Sequence, residues 1–177
     1  MPFIIDGCNL LWSIQETGHR IPDSSVRERA SLSEADEEPG PIGEVQLCRM
    51  IGGYLKLIGE SGKIIFDGVG PRDKSAFDNI TDVEVLFAGP GRDADTVIED
   101  KIQANTAPRR LVIVSSDRRL RRAARTREAA AVKSEDFWKR LLKELSRKKT
   151  AREPSGKRHG LTESETKQWL QFLGLDE

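Results

Sequence analysis

The hydrophobic residues of this 177-residue chain fall into short runs that are separated by longer amphipathic stretches. Several of the runs are interrupted by hardly any polar residue, which is typical of strands that helices cover on both faces, as in a parallel sheet. The pattern of the last run is the weakest. The predicted strands are Phe3–Ile5, Lys63–Phe66, Val83–Phe87, Leu111–Val114 and Ala130–Val132.

Helical patterns lie between these strands. Apolar residues recur at three-to-four spacing from Val45 to Ile58, although Gly52 and Gly53 weaken that pattern. Ser134 is placed to cap a helix that carries several apolar residues. Strands that alternate with helices predict an α/β fold, a three-layer α/β/α sandwich around a mostly parallel central sheet. The other predicted helices contain Leu10 and Leu11, Asp95–Asn105, and Leu120 with Ala123 and Ala124.

Two polar stretches suggest how the chain is organised. Residues 19–43 are acidic, contain proline and predict a long mobile loop. Residues 146–160 form a basic stretch without periodicity, and a capping box at Thr162 and Glu165 follows it. We therefore expect a domain over 1–145, a basic linker over 146–160 and a short C-terminal helical appendage over 161–177.

Composition excludes several classes of protein. No apolar stretch approaches the ~18 residues of a membrane helix, and the N-terminus lacks the pattern of a secretory signal, so we expect a cytoplasmic protein without a membrane partner. Two cysteines, Cys8 and Cys48, are too few for a disulfide framework or a zinc site. Between residues 109 and 158 there are 18 Lys and Arg against 6 Asp and Glu. Such a basic face can bind a polyanion, and a merely solvated surface is the alternative.

Carboxylates follow the predicted strands. Asp6 ends the first strand, Asp67 follows the second, and Asp117 comes shortly after the fourth. Because ligands gather at the carboxyl ends of strands in open α/β sheets, we expect these side chains to converge. The helix after the third strand adds three further carboxylates, Asp93, Asp95 and Glu99, of which Glu99 lies one turn beyond Asp95.

Such a cluster would repel itself without cations, because each negative charge raises the pKa of its neighbours. Mg²⁺ or Mn²⁺ prefers oxygen ligands, and two such ions can support in-line attack of water on a phosphodiester. His19 and His159 lie in predicted loops and offer no rival site. The residues therefore indicate metal-assisted phosphodiester hydrolysis, with Asp6, Asp93, Asp95, Glu99 and Asp117 as candidate metal ligands.

Each of these residues also has a simpler interpretation. Asp93 or Asp95 can cap the helix that it precedes, and Asn9 can cap the helix that contains Leu10 and Leu11. Asp67 can belong only to a turn with Gly68. Glu99 can be an ordinary solvated helical residue.

Four motifs in register resemble one family. The segments "IIDGCNLL", "FDG", "ADTVIEDKI" and "IVSSDRRLRRAAR" occur in the order expected of a YacP-like NYN domain, a family of the PIN-like nuclease superfamily. The resemblance extends from about residue 2 to residue 145. It implies a PIN-like α/β/α fold and a metal-dependent ribonuclease.

The resemblance also assigns roles by position. Cys8 stands where the family usually has an aromatic residue, which changes the packing at the mouth of the site. Ser116 matches a small hydroxyl residue that orients a ligand. The residues that match the catalytic positions are Asp6, Asn9, Asp67, Asp95 and Asp117.

An arginine-rich segment, "DRRLRRAARTR", begins at Asp117. On a helix, Arg118, Arg121, Arg122 and Arg125 would share one broad face beside the carboxylates, where guanidinium groups can hold RNA phosphates. A solvated helix with ion pairs is the alternative. Aromatic residues make up only 6% of the chain, which favours backbone recognition over base stacking.

The functions that these features favour differ in class. The leading hypothesis is an endoribonuclease that depends on Mg²⁺ or Mn²⁺ and binds RNA through the arginine-rich helix and Ser116. The alternative is a non-catalytic RNA- or ribosome-binding module on the same fold. A small-molecule phosphatase has only "FDGVGP" in its favour and lacks a phosphate-binding loop.

Overall fold

A computed structural model of the chain describes residues 2–16 and 42–147, which belong to one compact unit, Met1–Arg147. The predicted loop over 19–43, the basic linker and the C-terminal appendage lie almost wholly outside the described residues. Within the described ranges, no helix is long and apolar enough to cross a bilayer. The division into three segments therefore stays a prediction.

Strands and helices alternate along the chain, as the sequence predicts. Two short elements, a helix at Ser75–Asp78 and a 3-10 turn at Pro108–Arg110, were not expected from the sequence. The elements are β1 (Phe3–Asp6), α1 (Gly7–Glu16), α2 (Glu44–Ile58), β2 (Gly62–Phe66), α3 (Ser75–Asp78), β3 (Val83–Phe87), α4 (Ala94–Ala104), β4 (Val112–Val114), α5 (Arg118–Thr126), β5 (Ala130–Val132) and α6 (Ser134–Ser146).

The sheet has the strand order β3-β2-β1-β4-β5, and every neighbouring pair of strands is parallel. Ile5 of β1 pairs with Ile64 of β2 on one side and with Val114 of β4 on the other. The chain therefore builds the sheet outward in one direction up to β3 and then returns to the other side of β1. In open α/β sheets, ligands bind in the crevice outside the carboxyl ends of the strands at such a switch point.

Helices cover both faces of the sheet, which confirms the three-layer α/β/α sandwich. Phe3 and Ile5 belong to a buried cluster with residues of α1, α2 and α6. Ile4, which points to the opposite face, belongs to a second cluster with residues of α4 and α5. The sheet is thus buried on both sides, and its carboxyl edge is the place where polar side chains meet.

The glycine pair in α2 does not break the helix. A Cβ atom at Gly52 would lie 2.8 Å from the carbonyl oxygen of Thr81. Gly52 is therefore needed for the close approach of α2 to the turn before β3, and tertiary packing overrides its low helix propensity.

The predicted cap of α6 is wrong. The helix starts at Ser134, its N-cap position is Lys133, and no side chain caps it. The Ser134 hydroxyl instead donates a hydrogen bond to Oδ1 of Asn9 at 2.7 Å. Serine often caps helices, but the side chain of Ser134 connects α6 to α1.

Candidate active site at the carboxyl edge of the sheet

Asp6, the last residue of β1, lies at the centre of this edge and is only 4% exposed. Its Oδ1 accepts a hydrogen bond from the Asn9 backbone N–H at 3.0 Å, and its Oδ2 accepts one from the Ser115 hydroxyl at 3.0 Å. Burial raises the pKa of Asp6 from 3.8 to about 6, although these two hydrogen bonds oppose the rise. Asp6 is thus held in one orientation at a considerable electrostatic cost.

Ser115 connects the carboxyl ends of the neighbouring strands β1 and β4. It follows β4, is fully buried, donates to Asp6 and accepts a hydrogen bond from the Asp117 backbone N–H at 3.0 Å. Ser115 is absent from the site predicted from the sequence, which of the two serines includes only Ser116. The available signal was a second small hydroxyl residue directly after the apolar run.

Asn9 connects three elements and is not a helix cap. Its Oδ1 accepts hydrogen bonds from the Ser116 backbone N–H at 2.9 Å and from the Ser134 hydroxyl. Ser116 in turn donates its hydroxyl hydrogen to Glu135 at 2.8 Å. The capping interpretation of Asn9 is therefore wrong. Ser134 and Glu135 are further site residues that the sequence analysis missed.

The side chains of Asp67 and Asp93 both contact the N-terminus of α4. Oδ1 of Asp67 accepts a hydrogen bond from the Ala94 backbone N–H at 2.6 Å, so Asp67 does more than form a turn. Asp93 is the N-cap, and Oδ1 accepts from the Thr96 backbone N–H at 2.8 Å, which confirms its capping interpretation. The hydrogen bonds from Thr96 lower the pKa of Asp93. Whether Asp93 also binds a metal stays a prediction.

The residue that replaces the family's usual aromatic takes part in the site. Cys8 is half-buried, and its Sγ accepts a hydrogen bond from the Asp67 backbone N–H at 3.4 Å. It therefore links α1 to the segment after β2. Cys48 is a buried core residue, as expected.

A single arginine pairs with two of the predicted site residues. Nη2 of Arg119 lies 3.2 Å from Oδ2 of Asp95, and its Nε lies 3.0 Å from Oε1 of Glu99. Asp95 and Glu99 share one face of α4, as predicted. Glu99 is ion-paired, so it is not simply solvated. Arg119 was not among the arginines selected from the sequence.

Asp117 is the N-cap of α5. Its Oδ1 accepts hydrogen bonds from the backbone N–H groups of Arg119 at 2.5 Å and Leu120 at 3.2 Å. This capping role was not predicted from the sequence. Burial raises the pKa of Asp95, the charge of Asp117 adds to the rise, and Arg119 opposes it.

The negative charges of the site act on one another. After burial, the charges of Asp95 and Asp67 also raise the pKa of Asp6. The charge of Asp67 contributes in the same way to the raised pKa of Asp95. Four carboxylates from different segments therefore affect one another's ionisation at the carboxyl edge. They are Asp6, Asp67, Asp95 and Asp117.

These carboxylates do not form a ready-made set of metal ligands. Among residues 2–16 and 42–147, no three or more His, Cys, Asp or Glu side chains are grouped so that they could hold one metal ion. Asp95 and Glu99 face Arg119, while Asp67 and Asp117 accept hydrogen bonds from helix N-termini. The predicted ligand set thus meets at one edge but is engaged with other partners.

The predicted arginine face is present. With Thr126, the four selected arginines line one open cavity of about 580 Å³ on α5. Within the described ranges, Arg118, Arg122 and Arg125 form no ion pair with a carboxylate. Arg121 donates from Nε to the Asp117 carbonyl oxygen at 3.4 Å. Hydrogen bonds from the Glu135 backbone N–H and from Ser116 lower the pKa of the Glu135 carboxylate, and the charge of Arg121 adds to this effect. Whether this face binds RNA phosphates or is a solvated helix therefore stays a prediction.

Comparison with protein families identifies one match. The sequence model of the YacP-like NYN domain matches residues 3–172. The expectation that the resemblance ends near residue 145 is therefore wrong, because the match runs through the predicted linker and into the predicted appendage. No curated protein matches the chain significantly.

The solved structures that resemble this chain include two of a Bacillus subtilis protein. The crystal structure of Rae1 (YacP) from Bacillus subtilis is 19% identical, with a TM-score of 0.58 over 98% of this chain and 92% of that chain. The structure of a mutant of the same Bacillus subtilis protein, in which leucine replaces one tryptophan, is 16% identical, with a TM-score of 0.51 over 81% of this chain and 76% of that chain. The likeness confirms that the fold is PIN-like.

Proposed function

The chain belongs to the YacP-like NYN domain family, which is of nuclease type, and on that premise we propose that it is a metal-dependent endoribonuclease. One observation carries the proposal. Asp6 is a buried carboxylate at the switch point of the sheet, and the negative charges of Asp95 and Asp67 act on it there. Such an arrangement is stabilised by a cation at the site.

The donor atoms suit a hard divalent cation. All the candidate ligands are carboxylates, and Mg²⁺ and Mn²⁺ prefer such oxygen donors and retain several waters. We assign Asp6, Asp95 and Asp117 as the principal ligands, with Asp93 and Glu99 as further candidates. A bound ion would lower the pKa of a coordinated water and would neutralise charge on the phosphodiester. For the ion to bind, the ion pairs of Asp95 and Glu99 with Arg119 would have to break.

The remaining side chains position the site and the substrate. Asn9 and Ser115 fix Asp6, and Asn9 also holds the segment after β4 through the Ser116 backbone N–H. Ser116 and Asp67 lie on either side of this centre and are assigned to substrate orientation. Because α5 begins next to Asp117, its arginine face continues from the site and is assigned to RNA phosphates.

Cleavage of a labelled RNA by the purified full chain tests this function. We expect cleavage with Mn²⁺ or Mg²⁺, none with EDTA, and a loss of several orders of magnitude in Asp6→Asn. Asp78→Asn, which changes an exposed carboxylate of α3, serves as the matched control and should cleave like the wild type. Cleavage that persists in EDTA and is equal in the wild type and Asp6→Asn would reject the proposal.

One observation favours a second candidate, a non-catalytic RNA- or ribosome-binding module. Arg119 forms ion pairs with Asp95 and Glu99, and the described carboxylates do not form a group that could hold a metal ion. If this candidate is right, RNA binds through the arginine face in a salt-sensitive way and is not cleaved in the presence of any metal ion. Binding and cleavage assays with and without Mn²⁺ distinguish the two functions. Either function places the protein with RNA, and we assign it to the cytoplasm.

A further inference from the structure

Arg119 contacts two carboxylates through different nitrogen atoms. Its Nη2 reaches Asp95 at 3.2 Å and its Nε reaches Glu99 at 3.0 Å, so a single guanidinium connects two residues one turn apart on α4. Two carboxylates with one guanidinium retain a net negative charge. A divalent cation at the same position would neutralise both.

The ion pairs can be exchanged without disturbing the core. The Arg119 side chain is 55% exposed, and those of Asp95 and Glu99 are each 34% exposed. Exposed ion pairs of this kind are each worth only about 0.2 to 1 kcal/mol. Charge and hydrogen bonding, not packing, therefore hold this arrangement.

The backbone of Arg119 is fixed while its side chain is not. Oδ1 of Asp117 accepts a hydrogen bond from the Arg119 backbone N–H, so this residue cannot shift without breaking the cap of α5. Its side chain lies in a second cavity, of about 470 Å³, together with Glu99, Arg118 and Arg122. After release from α4, the Arg119 guanidinium would thus remain in the cavity that Arg118 and Arg122 also line.

From this geometry we propose that Arg119 competes with the divalent cation for Asp95 and Glu99 and so sets the metal affinity of the site. The inference rests on the proposed function. Arg119 is then a positioning residue, which keeps two like-charged carboxylates paired in the absence of metal. Metal binding releases its guanidinium to the cavity that it shares with Arg118 and Arg122.

Calorimetric titration of the full chain with Mn²⁺ in the absence of RNA tests the inference. Arg119→Gln should bind Mn²⁺ about three- to tenfold more tightly than the wild type, since two exposed ion pairs no longer oppose the metal. Arg122→Gln removes the same charge from the neighbouring turn, where no described carboxylate pairs with it. Screening should limit its effect to about twofold. Arg119→Lys keeps the charge and should bind Mn²⁺ with an affinity closer to that of the wild type.

The outcomes separate this inference from the proposed function. If the wild type binds Mn²⁺ and Arg119→Gln binds it no more tightly than Arg122→Gln, the inference is overturned while the metal site stands. If none of the folded proteins binds Mn²⁺, the proposed metal dependence fails and the inference fails with it. Thermal unfolding of each variant verifies that it is folded, and Arg119→Met, which removes the same charge, repeats the test if Arg119→Gln does not fold.

Discussion

Ser115 donates its hydroxyl hydrogen to Asp6 at 3.0 Å, which joins two residues 109 positions apart in the sequence. The same oxygen accepts the backbone N–H of Asp117, so one buried hydroxyl links the end of β1 to the start of α5. This bond ties the most buried carboxylate of the site to the segment that carries the arginine face. The stability and the chemistry of the edge should therefore respond together when it is removed.

Ser115→Ala should destabilise the fold by about 1 to 3 kcal/mol, because a buried carboxylate oxygen and the Asp117 N–H both lose their partner. Urea unfolding at neutral pH measures the change. Ser75→Ala, at an exposed position of α3, should change the free energy of unfolding by less than about 0.5 kcal/mol. Equal stability of the two variants would contradict the role given to Ser115.

The stability of the protein without metal should depend on pH through Asp6. The pKa of Asp6 is raised from 3.8 to about 6 on folding, so the protonated form is favoured in the folded state. This contribution is fully present below pH 3.8 and is lost as the pH rises through about 6. Asp6→Asn cannot titrate. Its stability relative to the wild type should therefore increase across this range, by on the order of 2 to 3 kcal/mol, and then stay constant.

Unfolding by urea in EDTA at several pH values between 4 and 8 measures this difference. Asp78→Asn should follow the wild type at each pH, because it lies outside the site. A stability difference between Asp6→Asn and the wild type that falls as the pH rises would show that Asp6 is not destabilised by burial.

Loss of an arginine from the α5 face should weaken RNA binding and make it less dependent on salt. For Arg122→Ala we expect the slope of log K against log salt to become shallower by about 0.7, the value for one phosphate contact with a single strand. Arg110→Ala is the matched control, because Arg110 is exposed and precedes β4 at the opposite edge of the sheet. Equal slopes for the wild type and Arg122→Ala would exclude this phosphate contact.

Gly7 should tolerate no side chain. A Cβ atom there would lie 2.4 Å from Cε1 of the Phe66 ring, so Gly7→Ala should destabilise the fold by about 1 to 3 kcal/mol. Gly43→Ala is the steric control, because nothing lies within 4 Å of its Cβ position, and only the smaller cost of alanine at the N-cap of α2 is expected there. In a double-mutant cycle, Phe66→Leu should offset part of the cost of Gly7→Ala. Additive effects of the two substitutions would argue against the proposed clash.

Much of the fold could be predicted because its strands are covered on both faces. The largely buried strands β1, β2 and β4 each differ from their predicted bounds by one residue, and the more exposed edge strands β3 and β5 match theirs. Such strands are recognisable from local sequence alone, since burial on both faces leaves few polar residues. α3 has only four residues and cannot display a helical period.

The site could be predicted only as far as strand ends determine it. Asp6 and Asp67 reach the same edge because β1 and β2 are parallel neighbours. The partner of each side chain depends instead on tertiary contacts, such as the bond between Asn9 and Ser134, which are 125 positions apart. The pairing of Arg119 with α4 depends in the same way on how α4 and α5 pack. Sequence patterns carry no information on such contacts.

A crystal structure of the full chain soaked in Mn²⁺ tests the central claim most directly. We predict an anomalous peak coordinated by Asp6 and Asp95, with the Arg119 guanidinium displaced from Asp95 and Glu99. A structure at saturating Mn²⁺ without a peak at this edge, in which Arg119 still contacts both carboxylates, would contradict the account.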